Sequence, residues 1–263
     1  MRPVIALLTD FGTRDHYVGA MRGVALGICP DATLADITHD IPPQDVLAGA
    51  LELAAAFKYF PQGTVFLCVV DPGVGSARRG IAAAAGGFTF VAPDNGLLTL
   101  VFREAPPTRV VELTERQYAR PDVSRTFEGR DRFAPAAAWL ATGVALTALG
   151  PPVRDWRALD VPEPRADSAR LCGVVLRVDR FGNLVTNIDR RRFEAFAAGT
   201  RVQIAIADHP VPAVVATYAE AESGSICALF GSSDRLEIAV VNGSAADRLE
   251  LTRGAEVVVR VKP

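Results

Sequence analysis

A chain of 263 residues with 49% hydrophobic and 22% charged side chains has the composition of an ordinary globular protein, long enough for one large domain and a smaller one. Its formal net charge of −2 supplies no electrostatic pull toward nucleic acid or an anionic membrane, so neither is an expected partner. The four cysteines, Cys29, Cys68, Cys172 and Cys227, sit apart in apolar runs without metal-ligand spacing, which predicts buried free thiols, no metal site and a reducing compartment.

From the N-terminus, Val4–Thr9 reads as a short apolar strand that meets Asp10 too soon for a signal peptide; with no run of 18 apolar residues, a cytoplasmic protein is expected. Tyr17–Ile28 has helical spacing, 33–37 reads as a second strand, and 46–57 as an Ala- and Leu-rich helix. Residues 65–70 form a buried strand that stops at Asp71-Pro72-Gly73. The runs 81–85 and 88–92 flank Gly86-Gly87 as a hairpin appended to the sheet, and 133–149 closes the unit as a helix. Alternating strand and helix, with continuously apolar strands, predicts an α/β domain over 1–150 with a largely parallel central sheet.

The texture then changes. Residues 151–168 are proline-rich and irregular, as a linker is. Beyond them come seven short β-type runs at 172–178, 184–188, 202–207, 211–217, 226–230, 236–241 and 257–261. They predict a smaller, antiparallel, barrel-like β domain over 169–263. Arg190-Arg191-Arg192, the one basic cluster, reads as a solvated helix start.

Ligands of open α/β sheets collect at the carboxyl ends of the strands. Polar residues stand at three of those ends: Thr9-Asp10-Phe11-Gly12, Asp71-Pro72-Gly73-Val74-Gly75 with Arg78 and Arg79 close behind, and Pro93-Asp94-Asn95-Gly96. Any one alone is an ordinary turn; three carboxylates at three strand ends suggest a site. The glycines near Asp71 lack the Lys-Ser/Thr of a phosphate loop, and no G-x-G-x-x-G follows the first strand. Thr126-Phe127-Glu128-Gly129-Arg130-Asp131 is a dense polar stretch before an Ala-rich helix, where Asp131 has the position of a helix cap. In the second domain, Asp179-Arg180-Phe181-Gly182-Asn183 crowds donors and acceptors into one turn.

Taken together with Leu236-Glu237-Ile238-Ala239, these motifs run in order along nearly the whole chain, and the chain resembles the SAM hydroxide adenosyltransferases. These adenosine-forming hydrolases of S-adenosyl-L-methionine (SAM) are related to the fluorinase and chlorinase. The resemblance implies an N-terminal α/β and a C-terminal β domain, and a homotrimer with SAM bound between one subunit's N-domain and its neighbour's C-domain. SAM would be substrate, with no further cofactor. It also implies roles. Asp10 would accept hydrogen bonds from the ribose hydroxyls, Asn95 would lie in the SAM pocket, and Asp179 and Asn183 would hold the methionine amino and carboxylate ends with Phe181 between them. Tyr218 would stack on adenine, and Ser232, Ser233 and Asn242 would read the adenine and methionine edges.

The resemblance carries Asp71 and Arg78 onto two of the three groups that surround the attacking water. The third, a histidine in the family, is Glu128 here; His16, His39 and His209 all lie outside that motif. The fluorinase has a tyrosine where this chain has Asp71 and a serine where it has Gly129. A carboxylate beside the nucleophile repels halide, so water is the expected nucleophile. Two other readings use the same motifs: a SAM- or adenosine-binding protein in which Glu128 has cost the chemistry, and a SAM-dependent halogenase.

Overall fold

The apolar runs of the first half become strands β1 (Val4–Thr9), β2 (Thr33–Thr38), β3 (Val65–Val69), β4 (Gly80–Ala85), β5 (Phe88–Pro93) and β6 (Pro107–Glu112) of one sheet. This is a computed structural model that describes residues 2–261; the chain divides into one unit through Asp160 and another from Val161. The sheet order is β2-β1-β3-β5-β4-β6, parallel at β1/β2, β1/β3 and β3/β5 and antiparallel at β4/β5 and β4/β6. The Gly86-Gly87 hairpin expected from the sequence is present and joins this sheet. Its second strand docks parallel to β3 inside the sheet, and β6 forms the edge beyond it.

Helices α1 (Tyr17–Ile28) and α4 (Ala134–Ala141) pack together on one face, and α2 (Val46–Ala56) and α3 (Thr99–Glu104) on the other. Side chains alternate between the faces with the period of two that a strand imposes. Ile5, Leu7 and Leu67 join Met21 and Phe133 on one side; Leu8, Phe66 and Phe90 join Leu53 and Leu97 on the other. Phe66 and Phe90 stack with centroids 4.9 Å apart. With both faces covered, the strands have no solvent side to make polar, hence their unbroken apolar runs.

The predicted helix over 133–149 is broken. A π-helical turn covers Gly129–Phe133, α4 follows, and a 3-10 turn covers Leu146–Leu149. Gly143, at φ +97°, ends α4 in the left-handed conformation that glycine tolerates. Residues 151–160 pack on the first unit: Val153 is buried, Trp156 meets Phe102 edge-on, and the Arg157 N–H donates to Asp94.

The second unit contains β7 (Arg165–Ala166), β8 (Arg170–Val178), β9 (Leu184–Asp189), β10 (Val202–Ile206), β11 (His209–Val211), β12 (Ile226–Phe230), β13 (Arg235–Val240) and β14 (Glu256–Val261). All pairings are antiparallel, in the order β11-β10-β14-β8-β9-β13-β12, with β7 on β8. A bridge from Val214 to Ala228 nearly closes the barrel around Leu184, Ile188, Ile204, Leu236, Ile238 and Val257. The strand predicted over 211–217 falls earlier: β11 covers His209–Val211 and shares only Val211 with it, and beyond Pro212 the chain contributes the single bridge at Val214. Arg190-Arg191-Arg192 opens α5 (Arg190–Ala197), whose first turn is capped by Asp189 accepting from the Arg192 N–H at 2.8 Å. No helix among the described residues is long and apolar enough to cross a membrane.

Replacing Phe90 by Ala removes one ring of the stacked pair from a fully buried position. We expect a loss of about 3–5 kcal/mol of unfolding free energy, measured by urea denaturation.

Candidate active site

Strands β1 and β3 are parallel neighbours, so their carboxyl ends deliver Asp10 and Asp71 to the same edge of the sheet. The loop after β3 folds back on itself: the Val74 N–H donates to Asp71 O, and both the N–H and the hydroxyl of Ser76 donate to Gly73 O. Gly75 makes this possible. It has φ +76°, and a Cβ there would lie 2.4 Å from the Arg125 carbonyl oxygen.

The fold-back brings Arg78 onto Asp71. Arg78 Nε donates to Oδ1 at 2.9 Å and Oδ2 at 3.0 Å, and Nη2 also bonds Oδ2. On the other side, Nη2 donates to Glu128 Oε2 at 2.6 Å. The side chains of Asp71, Arg78 and Glu128 are only 5%, 6% and 9% exposed. Burial pulls the Arg78 pKa down, but Asp71 first and then Glu128 more than offset it, so the guanidinium is held above its ordinary value and stays charged. Phe133 lies beneath it, 5.1 Å from ring centroid to guanidinium carbon. Arg132 Nη1 stands 3.8 Å from Glu128 Oε2 as a second, part-exposed cation. Arg78 Nη1 is buried with no hydrogen-bond partner among the described residues.

Asp10 is anchored from the main chain. Its Oδ2 accepts from the Gln44 N–H at 2.7 Å, a contact made with Gln44 at φ +67°. Its Oδ1 is buried without a partner among the described residues. Burial pushes the Asp10 pKa up, the Gln44 N–H opposes this, and the charge of Asp71 adds to the rise. Behind it, Thr9 Oγ1 lies 2.8 Å from His39 Nδ1 and accepts from the Phe11 N–H, while the Gly12 N–H donates to His39 O. Phe11, Tyr17 and Phe127 pack together with centroid distances of 5.1–5.9 Å. His39, Gln44 and Tyr17 were not signalled by any motif. Their one clue is position, since His39 and Gln44 follow the carboxyl end of β2.

Other residues of the motifs are occupied structurally. Asn95 Nδ2 donates to Val70 O at 2.8 Å and its Oδ1 accepts from the Leu97 N–H, tying the end of β5 to that of β3. Asp94 is buried against Arg79 and the Arg157 N–H. Asp131 is not a helix cap. It is fully buried inside the π turn, accepting from the Ser124 N–H and from Arg130 and pairing with Arg120, and so holds the loop before Glu128 in place. A Cβ at Gly129 would lie 3.3 Å from Met21 Sδ, a crowded spot for any side chain.

The second unit gathers another polar group. Asp179 Oδ1 accepts from the N–H groups of Phe181 and Asn183, and Oδ2 accepts from Asn183 Nδ2 at 3.0 Å. Asn183 Nδ2 also reaches the Tyr218 hydroxyl, which donates to Glu237. Phe181 is 76% exposed at the turn's tip. Ser232 and Ser233 lie in the turn between β12 and β13, with Ser233 Oγ buried and unpartnered among the described residues. Asn242 lies beyond the other end of β13, bonded to Ser223, so the six residues of that strand, about 20 Å, separate it from the two serines.

Both halves of the chain match one family. Residues 5–150 match the model of the SAM hydroxide adenosyltransferase N-terminal domain, and residues 173–258 that of its C-terminal domain. The chain belongs to the SAM hydroxide adenosyltransferase family. It is 40% identical to an (R)-S-adenosyl-L-methionine hydrolase of Thermus thermophilus, covering 98% of this chain and 99% of that one. It is 41% identical to the protein of that name from Salinispora tropica, over 96% and 95%. A fluorinase of Nocardia brasiliensis is 32% identical over 99% and 97%. Among solved structures, an uncharacterized conserved protein from Thermotoga maritima superposes with a TM-score of 0.91 at 35% identity, covering 97% of this chain and 99% of that one. Within the family frame, Asp71, Arg78 and Glu128 converge on one buried point, whereas Asn95 is committed to the backbone.

Arg78→Met leaves two carboxylates buried without their cation. We expect a loss of about 3–5 kcal/mol of stability at neutral pH, most of it recovered by adding Asp71→Asn and Glu128→Gln, read by urea denaturation. Asp10→Asn should act in the opposite sense. A carboxyl whose pKa is raised by folding opposes folding once it ionises, so the penalty is absent in acid and grows as pH rises through the ordinary aspartate range. The variant should melt higher than wild type at neutral pH, by up to about 4 °C, with the gap closing in acid.

Proposed function

We propose that this protein hydrolyses SAM to adenosine and L-methionine, with water attacking C5′. The observation that carries this reading is the buried Asp71–Arg78–Glu128 cluster beside Asp10. The sulfonium leaves as a neutral thioether, so no general acid is needed; the task is to align and activate water. Asp71 accepts a proton from that water as its oxygen bonds C5′ and the C5′–S bond breaks. Arg78 stabilises the developing hydroxide through Nη1. Glu128, in the position of the family's histidine, accepts the water's other hydrogen. Positioning of this kind lowers a barrier by about 7–11 kcal/mol at best.

Charge supports the substrate and the nucleophile alike. Asp10, Asp71 and Glu128 outnumber Arg78 and the part-exposed Arg132, which leaves the pocket net negative. That suits a cationic sulfonium and repels halide. Asp10 would take the ribose hydroxyls with its open Oδ1. Asp179, Asn183, Phe181, Tyr218, Ser232, Ser233 and Asn242 would serve the adenine and methionine ends on the second unit. The assembly would be a cytoplasmic homotrimer, in which one subunit's first half-site meets its neighbour's second, and the reaction would need no cofactor.

A second reading draws on the same Glu128–Arg78 contact: the glutamate engages the guanidinium and leaves a SAM-binding protein without turnover. Incubation with SAM in chloride-free buffer separates the two. Hydrolysis expects equimolar adenosine and methionine by chromatography, reduced about 10²- to 10⁴-fold by Asp71→Ala. Binding without product, together with a large gain of rate in Glu128→His, would transfer the conclusion to the second reading.

A further inference from the structure

Glu237 is a buried carboxylate in the middle of β13, and the catalytic cluster of the first unit does not use it. Its position is prepared by the chain around it. A Cβ at Gly231 would lie 1.9 Å from Glu237 Oε1 and 2.3 Å from its carboxyl carbon, so only glycine there admits the side chain in this conformation. Glu237 Oε2 accepts the Tyr218 hydroxyl proton at 3.2 Å; the Tyr218 oxygen accepts from Asn183 Nδ2 at 3.3 Å; and the same Nδ2 donates to Asp179 Oδ2 at 3.0 Å. The groups facing Glu237 are the Tyr218 hydroxyl, Asp179 and Arg177.

The direction of this relay follows from the ends. An ionised carboxylate only accepts, so the phenol must donate to it, and the phenol oxygen is then left to accept from Asn183. Both N–H bonds of the Asn183 amide are committed to protein acceptors, and Asn183 meets a ligand through Oδ1, as an acceptor. Protonated Glu237 can instead donate to the phenol oxygen, which keeps a second lone pair for Asn183, and the Tyr218 O–H then has to turn to another acceptor. We propose that Glu237 is a positioning residue for substrate binding, which through the Tyr218 hydroxyl fixes the ring of Tyr218 and the amide orientation of Asn183. This rests on the reading that the Asp179–Asn183 turn and Tyr218 contact SAM. Burial, with the charge of Asp179 behind it, raises the Glu237 pKa above the usual carboxylate range, and Tyr218 is pushed up to about 12, first by burial and then by Glu237. Protonation of Glu237 therefore releases the Tyr218 hydroxyl from its fixed direction.

The test compares wild type with Glu237→Gln, Gly231→Ala and Tyr218→Phe. Gln keeps the size of Glu237 but adds a donor, and Ala at 231 displaces the carboxylate without removing it. We expect KM for SAM to rise about tenfold in each, with kcat within about twofold. The double variant Glu237→Gln/Tyr218→Phe should be no worse than the worse single. The wild-type KM should rise as pH falls through the Glu237 range, and Glu237→Gln should lose that dependence. Unchanged KM in Glu237→Gln, or a loss confined to kcat, would overturn the proposal. A readout without SAM separates it from the functional reading: the side-chain amide resonance of Asn183, identified by its loss in Asn183→Asp. The relay requires it to shift between wild type and Glu237→Gln, and to respond to protonation of Glu237 in wild type alone; an amide that ignores Glu237 overturns the relay whether or not SAM is turned over.

Discussion

Two carboxylates from distant parts of the chain, Asp71 and Glu128, close on one buried guanidinium, and the local architecture of the first unit is arranged around that arrangement. Taking ions out of water costs several kcal/mol each, repaid only by short contacts in good geometry. The tight loop through Gly75, the π turn before α4 and the ring of Phe133 all hold those contacts in place. Asp131 extends the same logic outward: its own buried charge, balanced by Arg130 and Arg120, pins the segment that presents Glu128. A π turn leaves the helical hydrogen-bond ladder irregular where a side chain must be aimed, a recurring device at functional sites.

Much of this fold was legible in the residues. The unbroken apolar runs of β1 and β3 identified a two-sided sheet, and α1 appeared over the span its spacing predicts. What escaped was local and had local causes. Residues 99–112 form α3 and β6, each six residues long and separated by Ala105-Pro106, too short for a periodicity to emerge. The helix after Glu128 was read through Gly143, whose left-handed backbone ends α4 inside an apolar pattern, and the strand predicted over 211–217 falls at 209–211.

The candidate site was legible as a set of strand ends but not as a set of partners. Asp10, Asp71 and Arg78 stand where a parallel sheet collects chemistry. Nothing in their spacing distinguishes Asp71, which faces Arg78, from Asp94, which is spent on Arg79 and a backbone N–H. Contacts such as Thr9 to His39, thirty residues apart, exist only once β2 lies beside β1. The same holds for Glu237, whose link to Asn183 passes through a tyrosine from another segment.

The anchor on Asp10 comes from the peptide of Gln44, and the Gln44 side chain is exposed. A main-chain donor does not depend on the side chain's chemistry, so residues that tolerate the left-handed backbone preserve it, glycine and asparagine best; proline has no N–H to give, and β-branched residues are strained there. The position is thus a point of mutational freedom beside a fixed carboxylate. A library at residue 44 can vary the polarity displayed beside Asp10 while the main-chain bond that fixes its carboxylate is kept.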